Sequence, residues 1–385
     1  MVFENDYKGG FLMGLMGEER HIFPGGNTPK GFFSYYEYIL GQREANRIFC
    51  LKGGPGTGKS SFLRKIGEEF CKEGESVDFM HCSSDPESLD GVVLRERKIA
   101  LIDATSPHIV DPISPGAVDE IIHLGAFWDE EGIRKNKMSI MEAGEHISGW
   151  YGRAYHYLAA AENVFDNLCG VYDEAIESAE IYRMAAELVG RELSHKEICL
   201  HPGTVKKYFA SAITPKGLVH YLPGIASGCR KIYLISAPIG ASAERILNIF
   251  AEGAVYRGFT VEEYFCPMKP ERRMEHLVVP ELSIAFLTAN EFHDVEAWQL
   301  PDDAEEIEML DIGELASPRV LAERAKILQD SRQIFDLLIQ RTVECLESAK
   351  QKHDLLESYY IPNMDFKKID ALRDEIIAKI RLREV

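Results

Sequence analysis

Arg47-Ile-Phe-Cys-Leu-Lys-Gly-Gly-Pro-Gly-Thr-Gly-Lys-Ser-Ser61 decides more about this chain than any other stretch. It contains G-x-x-x-x-G-K-S at Gly53, Gly58, Lys59 and Ser60. The apolar run Ile48 to Leu51 ahead of it reads as a buried strand. Behind it, Phe62, Leu63, Ile66 and Phe70 recur at helical spacing. Strand, glycine loop and helix is the context a phosphate-binding loop requires. Glycine opens backbone angles closed to other residues and lets N–H groups turn inward on an anion. The helix start adds partial positive charge. Gly53, Gly54, Pro55, Gly56, Thr57, Gly58, Lys59, Ser60 and Ser61 are the expected loop. Lys59 would bridge β- and γ-phosphates, and Ser60 would place its hydroxyl on Mg²⁺.

Downstream, Lys98-Ile-Ala-Leu-Ile-Asp103 is an apolar strand ending in a carboxylate, so Asp103 is the expected metal-side acid. Ala104 follows it, where many mechanical ATPases carry a catalytic Glu. Between the two motifs, Val77 to Cys82 reads as another strand, followed by a polar turn with Asp85. In open α/β sheets sites form at the carboxyl ends of strands, so Asp85 is a candidate base toward a substrate hydroxyl or water. The alternative is an Asp that caps a turn before Pro86. Asp90 reads as a structural cap, and Asp111 as a turn former before Pro112. His108, on the loop after Asp103, is a candidate for orienting water or sensing the γ-phosphate.

The chain has 385 residues, 45% hydrophobic and 27% charged, with a formal net charge of −19. This is a globular composition with room for two or three domains. The acidity excludes a broad basic surface for nucleic acid, and attraction of a polyanion must then be local. The eight cysteines are scattered and form no C-x-x-C pair, so reduced thiols are expected. No secretory signal and no apolar stretch of membrane-spanning length is found. A cytoplasmic location is expected.

The sequence also repeats. Thr28-Pro-Lys-Gly31 recurs as Thr214-Pro-Lys-Gly217, an offset of 186 in the numbering. Arg47 to Pro55 aligns with Arg230 to Pro238 at 183, Cys82 with Cys266 at 184, and Ile99-Ala100 with Ile284-Ala285 at 185. Such drift is what short loop insertions produce. Two Ala- and Glu-rich helical regions follow the two halves. Phe165-Asp166 matches Phe335-Asp336, and Glu177-Ser-Ala179 matches Glu347-Ser-Ala349, both at an offset of 170. The expected fold is α/β: a three-layer α/β/α P-loop NTPase core, tandemly duplicated, each core followed by a long helical hairpin. The first unit would span 1–205 with its hairpin at about 129–193. The second would span 206–385, with its helical region at about 314–385. In the second loop, Lys59 aligns with Ser242, Ser60 with Ala243, Gly58 with Ala241, and Asp103 with Thr288, so hydrolysis there is not expected. Phe32, Phe33, Tyr35, Tyr36 and Tyr38 read mostly as core, with stacking on an adenine the alternative, and Trp128 and Trp150 read as junction residues.

The sequence resembles an uncharacterised bacterial family of ATPases built from two P-loop units. The resemblance rests on Lys52 to Ser60, His81-Cys-Ser-Ser-Asp-Pro86 with Leu89-Asp-Gly91, Asp103-Ala-Thr-Ser-Pro-His108, and Phe209 to Gly217. It covers most of the chain and implies nucleotide binding, with ATP and Mg²⁺ as ligands. Members commonly keep Gly-Lys-Ser/Thr in the second loop, and this chain does not. The expected function is an ATPase with one active site in the first unit. Lys216 or Arg230 of the second unit is a candidate to reach across to the γ-phosphate. A small-molecule or nucleotide kinase with Asp85 as base is the alternative, its acceptor a small molecule. An ATP-sensing scaffold binding a protein partner through its helices is the other.

Overall fold

The computed structural model describes residues 16–107 and 109–382. The first half runs β1 (Glu19–Ile22), β2 (Gly25–Thr28), β3 (Gly31–Ser34), β4 (Arg47–Lys52), α1 (Lys59–Lys72), β5 (Val77–Cys82), β6 (Asp85–Leu94), β7 (Ile99–Asp103), β8 (Asp119–His123), α2 (Glu130–Arg134), α3 (Lys137–Ala175) and α4 (Ser178–Leu193). The second half runs β9 (Val205–Tyr208), β10 (Ser211–Thr214), β11 (Gly217–His220), α5 (Leu222–Ile225), β12 (Lys231–Ser236), α6 (Glu244–Val255), β13 (Val261–Phe265), β14 (Met274–Val279), β15 (Ile284–Ala289), β16 (Glu306–Asp311), α7 (Pro318–Glu323), α8 (Ala325–Tyr360) and α9 (Phe366–Arg381).

Two six-stranded mixed sheets result, ordered β1-β5-β6-β7-β4-β8 and β9-β13-β14-β15-β12-β16. The orders are the same once equivalent strands are matched. So are the directions: β6 and β14 each run antiparallel to both neighbours, and the other pairings are parallel. The duplication therefore extends to topology. A local two-fold relates the halves. Phe23 and Phe209, equivalent residues, exchange both backbone hydrogen bonds at 3.0 Å. Thr28 and Thr214 make the same turn, each hydroxyl donating to a glycine carbonyl at 2.8 Å. Arg20 bridges the halves, bonding Asp78 in its own and Glu262 in the other.

The helices correct the expected hairpins. α3 does not fold back on α4; Ile176 and Glu177 are extended, and Ile176 bridges Ala316 of the other half. α3 packs along α8. α4 packs on α6, placing Ile181, Ala185 and Leu188 in the second sheet's core with Tyr233, Leu247 and Phe250. Reciprocally, α9 packs on α1, placing Ile369, Ile376, Ile377 and Ile380 in the first sheet's core with Phe62, Ile66 and Phe70. Each half thus hands its last helix to the other. An amphipathic stripe specifies what must be buried but not against which partner.

The helical repeat also shifts register. α3 and α8 begin at Lys137 and Ala325, and α4 and α9 at Ser178 and Phe366, an offset of 188 for both pairs. At that offset, buried Ala143, Ala154, Leu158, Ala161 and Leu168 match buried Ser331, Thr342, Leu346, Ala349 and Leu356. The alignment at 170 is slipped by about five turns of 3.6 residues, which keeps the same helix face. Phe165 and Phe335 are not equivalents; their rings pack on each other at 5.5 Å.

Because the last helix completes the distant core, Ile377→Ala should cost about 2–4 kcal/mol by chemical denaturation. Residues 1–205 expressed alone should lack a cooperative urea transition. A native-like transition in that fragment would show that the exchange is dispensable.

Candidate functional site

β4 delivers the glycine loop and α1 carries it away. Gly56 and Gly58 hold φ of 66° and 82°, angles that bulkier residues adopt at a cost, and Gly58 caps α1. β7 lies directly beside β4 and ends at Asp103. This brings Lys59 Nζ to 3.6 Å from Asp103 Oδ2. Lys59 also donates to the carbonyls of Gly53 and Gly54, each at 2.9 Å. Asp103 Oδ1 accepts from the Thr105 amide at 3.0 Å. Ser60 Oγ accepts the Leu89 amide of β6 at 3.0 Å. Thr57 is buried, its hydroxyl donating to Gly54 O at 2.8 Å. The structure thus brings together the loop, Lys59 and Asp103. Ser60 and Asp103 are oxygen donors of the type Mg²⁺ takes. His108 lies outside the described residues.

The other expected residues fare differently. Asp85 accepts from Ser88 Oγ at 3.0 Å and pairs with Lys350 of α8 at 3.3 Å. Its counterpart Lys269 pairs with Glu162 and Asp166 of α3, at 2.9 and 2.7 Å. Glu162 is the counterpart of Lys350 in the matched helix register. The same tie between core and crossing helix is therefore kept with its charges exchanged, and Asp85 carries a structural duty. Asp90 is buried in the middle of β6, beside Tyr36. Burial, and then the Asp90 charge, push the Tyr36 hydroxyl well above its ordinary pKa. Asp111 pairs with Lys52. Neither expected cross-reaching cation meets the loop: Lys216 pairs with Glu87, and Arg230 lies 4.0 Å from Glu305 on the surface.

What crosses instead is the end of α8 and the start of α9. Glu357 Oε1 accepts the Gly56 amide at 3.1 Å. Tyr360 and Trp128 crowd Gly54, where an added Cβ would lie 3.3 and 3.5 Å from their rings. Ile361 covers Gly56, and Phe366 covers Gly58. The sequence reading missed Glu357, Tyr360 and Phe366. Their only sequence signal was the interruption of the last helical region at Pro362.

The expected offset of 183 sets the second loop one position out of register. β4 and β12 start at Arg47 and Lys231, an offset of 184. Buried Phe62, Leu63, Ile66, Gly67 and Phe70 of α1 match buried Ile246, Leu247, Phe250, Ala251 and Ala254 of α6 at that same offset. Lys59 therefore faces Ala243, Ser60 faces Glu244 and Gly58 faces Ser242. The lysine and hydroxyl are absent either way, and Thr288 does stand at the Asp103 position.

Near this loop a cavity of about 60 Å³ is lined by Phe165, Ile239, Arg273, Glu275, His293 and Phe335. Among the described residues, Arg273 Nε, Glu275 Oε2, His276 Nε2 and His293 Nδ1 have no hydrogen-bond partner. Glu275, His276 and His293 are close enough to suggest a metal. The hydrogen bonding of His276 argues against it. His276 Nδ1 accepts the Thr288 amide at 3.0 Å, so the neutral ring carries its proton on Nε2 and has no lone pair there for a metal.

No family model matches this sequence, and neither a curated protein nor a solved structure matches it. Among the described residues no helix is long and apolar enough to cross a membrane.

Burial lowers the pKa of His81 to about 4, and also lowers those of His276 and His293. His81 Nδ1 faces Pro86 O at 2.7 Å, so Nδ1 donates and Nε2 accepts from His21 Nδ1 at 2.8 Å. Protonation would set two donors against each other. With the folded pKa depressed, the unfolded chain binds more protons between pH 4 and 6.5. Stability is then full above about 6.5 and falls as the pH drops toward 4. The urea midpoint should be lower at pH 5.5 than at 7.5, His81 alone accounting for a stability loss on the order of 1 kcal/mol. An unchanged midpoint would contradict this.

Proposed function

We propose that the protein is a Mg²⁺-dependent ATP-binding protein and ATPase of the P-loop NTPase class. Its single active loop lies in the first half, and the second half is non-hydrolysing. The resemblance to the bacterial family of paired P-loop ATPases supports the same reading. The carrying observation is the strand–loop–helix with Lys59 held 3.6 Å from Asp103 across adjacent strands. A glycine loop beside a mobile cation, with an acid on the adjacent strand, is what Mg²⁺-assisted phosphate binding needs.

Lys59 now rests on two loop carbonyls, and its flexible stem lets it turn to a phosphate as a point charge. Ser60 and Asp103 would hold Mg²⁺, which would neutralise developing phosphate charge. Glu357 occupies the Gly56 amide, so a carboxylate stands where the loop would hold an anion. Two anions cannot share that amide without several kcal/mol of repulsion. Binding therefore moves the end of α8, and nucleotide state is coupled to the second half. Ala104 supplies no carboxylate for water, and Glu357 is an acid of the second half that touches the loop. Kinase chemistry through Asp85 is less well supported, because Lys350 already claims that carboxylate.

Mg-ATP binding and turnover should be measured on the full chain. Lys59→Ala removes charge-assisted bonds and should weaken binding about ten- to a hundredfold. Wild-type affinity in that variant would sink the assignment. Glu357→Gln keeps an acceptor for Gly56 but removes the charge. It should tighten binding by about tenfold, and an unchanged affinity would show that Glu357 does not compete with phosphate.

A further inference from the structure

A cleft of about 200 Å³ lies between the first turns of α1 and α9. Gly58, Ser61 and Lys65 line one wall, and Phe366, Asp370 and Arg373 the other. It opens where the glycine loop enters α1. Lys59 reaches from the loop toward β7, on one side of β4. β8 pairs with the opposite edge of β4, and α9 is tied there by the bond from Lys379 to Glu120. A polyphosphate whose terminal group meets Lys59 and Asp103 would reach this cleft by running away from β7, past Ser61, toward α9.

Phe366 is the residue that waits there. It is 41% exposed, whereas the isoleucines of α9 are buried. It stands over Gly58, where an added Cβ would meet its ring at 3.3 Å. Its exposure is not explained by packing of the helix core. Below it, Lys65 and Arg373 both bond Oδ1 of Asp370, which leaves Oδ2 as an acceptor for a sugar hydroxyl.

We propose that this cleft holds the nucleoside of the triphosphate, its base stacked on Phe366. The inference rests on the nucleotide reading above and extends it. The site is incomplete within the first half, because the exchanged helix of the second half supplies the stacking face. Stacking is tolerant of base identity, since every base presents a π-face.

The test separates the base from the phosphates. Calorimetric affinities for Mg-ATP and for Mg-tripolyphosphate, which lacks a nucleoside, are compared on the full chain. The set is wild type, Phe366→Ala, Phe366→Tyr and Lys59→Ala. Phe366→Ala should lose about tenfold in ATP affinity and nothing for tripolyphosphate. Phe366→Tyr should retain both, and Lys59→Ala should lose both. An unchanged ATP affinity in Phe366→Ala overturns the nucleoside cleft and leaves the phosphate loop standing. An equal loss for both ligands also overturns it, marking Phe366 as a prop for Gly58. A wild type that binds neither ligand, or a Lys59→Ala chain that binds both normally, removes the nucleotide reading and this cleft with it.

Discussion

The exchange of α4 and α9 between the two sheets is the constraint on which the remaining structure depends. Ile369, Ile376, Ile377 and Ile380 leave water only by entering the core of a sheet built from the far end of the sequence. At about 1.5–3 kcal/mol for each fully buried isoleucine, roughly 6 kcal/mol or more depends on that crossing. This rivals the net stability of a typical domain. The halves are therefore one folding object with two sheets, because each half's core is completed by a helix of the other. Arg20, buried between Asp78 and Glu262, adds specificity more than stability, because a desolvated ion cluster stabilises little while a mismatched one costs much.

That crossing also determines who builds the site. The first half supplies loop, lysine and acid, and the second half supplies the cover. Because α8 runs directly into α9 through Ile361–Asn363, a displacement at Glu357 is felt at Phe366, the first residue of the next helix. The ion pair of Lys350 with Asp85 is the nearby anchor on the same helix. In a chain of net charge −19, attraction of a polyanion would have to come from a few local donors, and one of these, the Gly56 amide, is met by an acid, Glu357.

The sequence made legible whatever is local or collinear. The loop, the strand ending at Asp103, and the duplicated order of strands all rest on short patterns with fixed spacing. The exchange was not legible. The stripe of α9 is apolar whichever sheet receives it, and chain adjacency argued for a hairpin. Helix register failed for a related reason: a slip of five turns returns the same face, so Phe165 and Phe335 look equivalent while being partners. Asp85 was ambiguous because its partner, Lys350, lies in the other half of the chain and is matched only through the three-dimensional two-fold. Glu357 and Phe366 carry no motif, since their roles come from where the helix ends.

The two-fold allows the loops to be compared as chemistry. The first loop offers an amide N–H, from Gly56, and an acid meets it. At the counterpart of Glu357 stands Cys169, which faces Arg273 at 3.4 Å. The second loop offers carbonyls: Arg273 donates to Gly240 O, at 3.4 Å, and to Ala241 O. Gly240 is the counterpart of Gly56, and both have positive φ. Its polarity toward the crossing helix is thus inverted, with a buried guanidinium in place. The difference between the two loops is a rearrangement of the whole electrostatic contact, and the missing lysine is its most visible part.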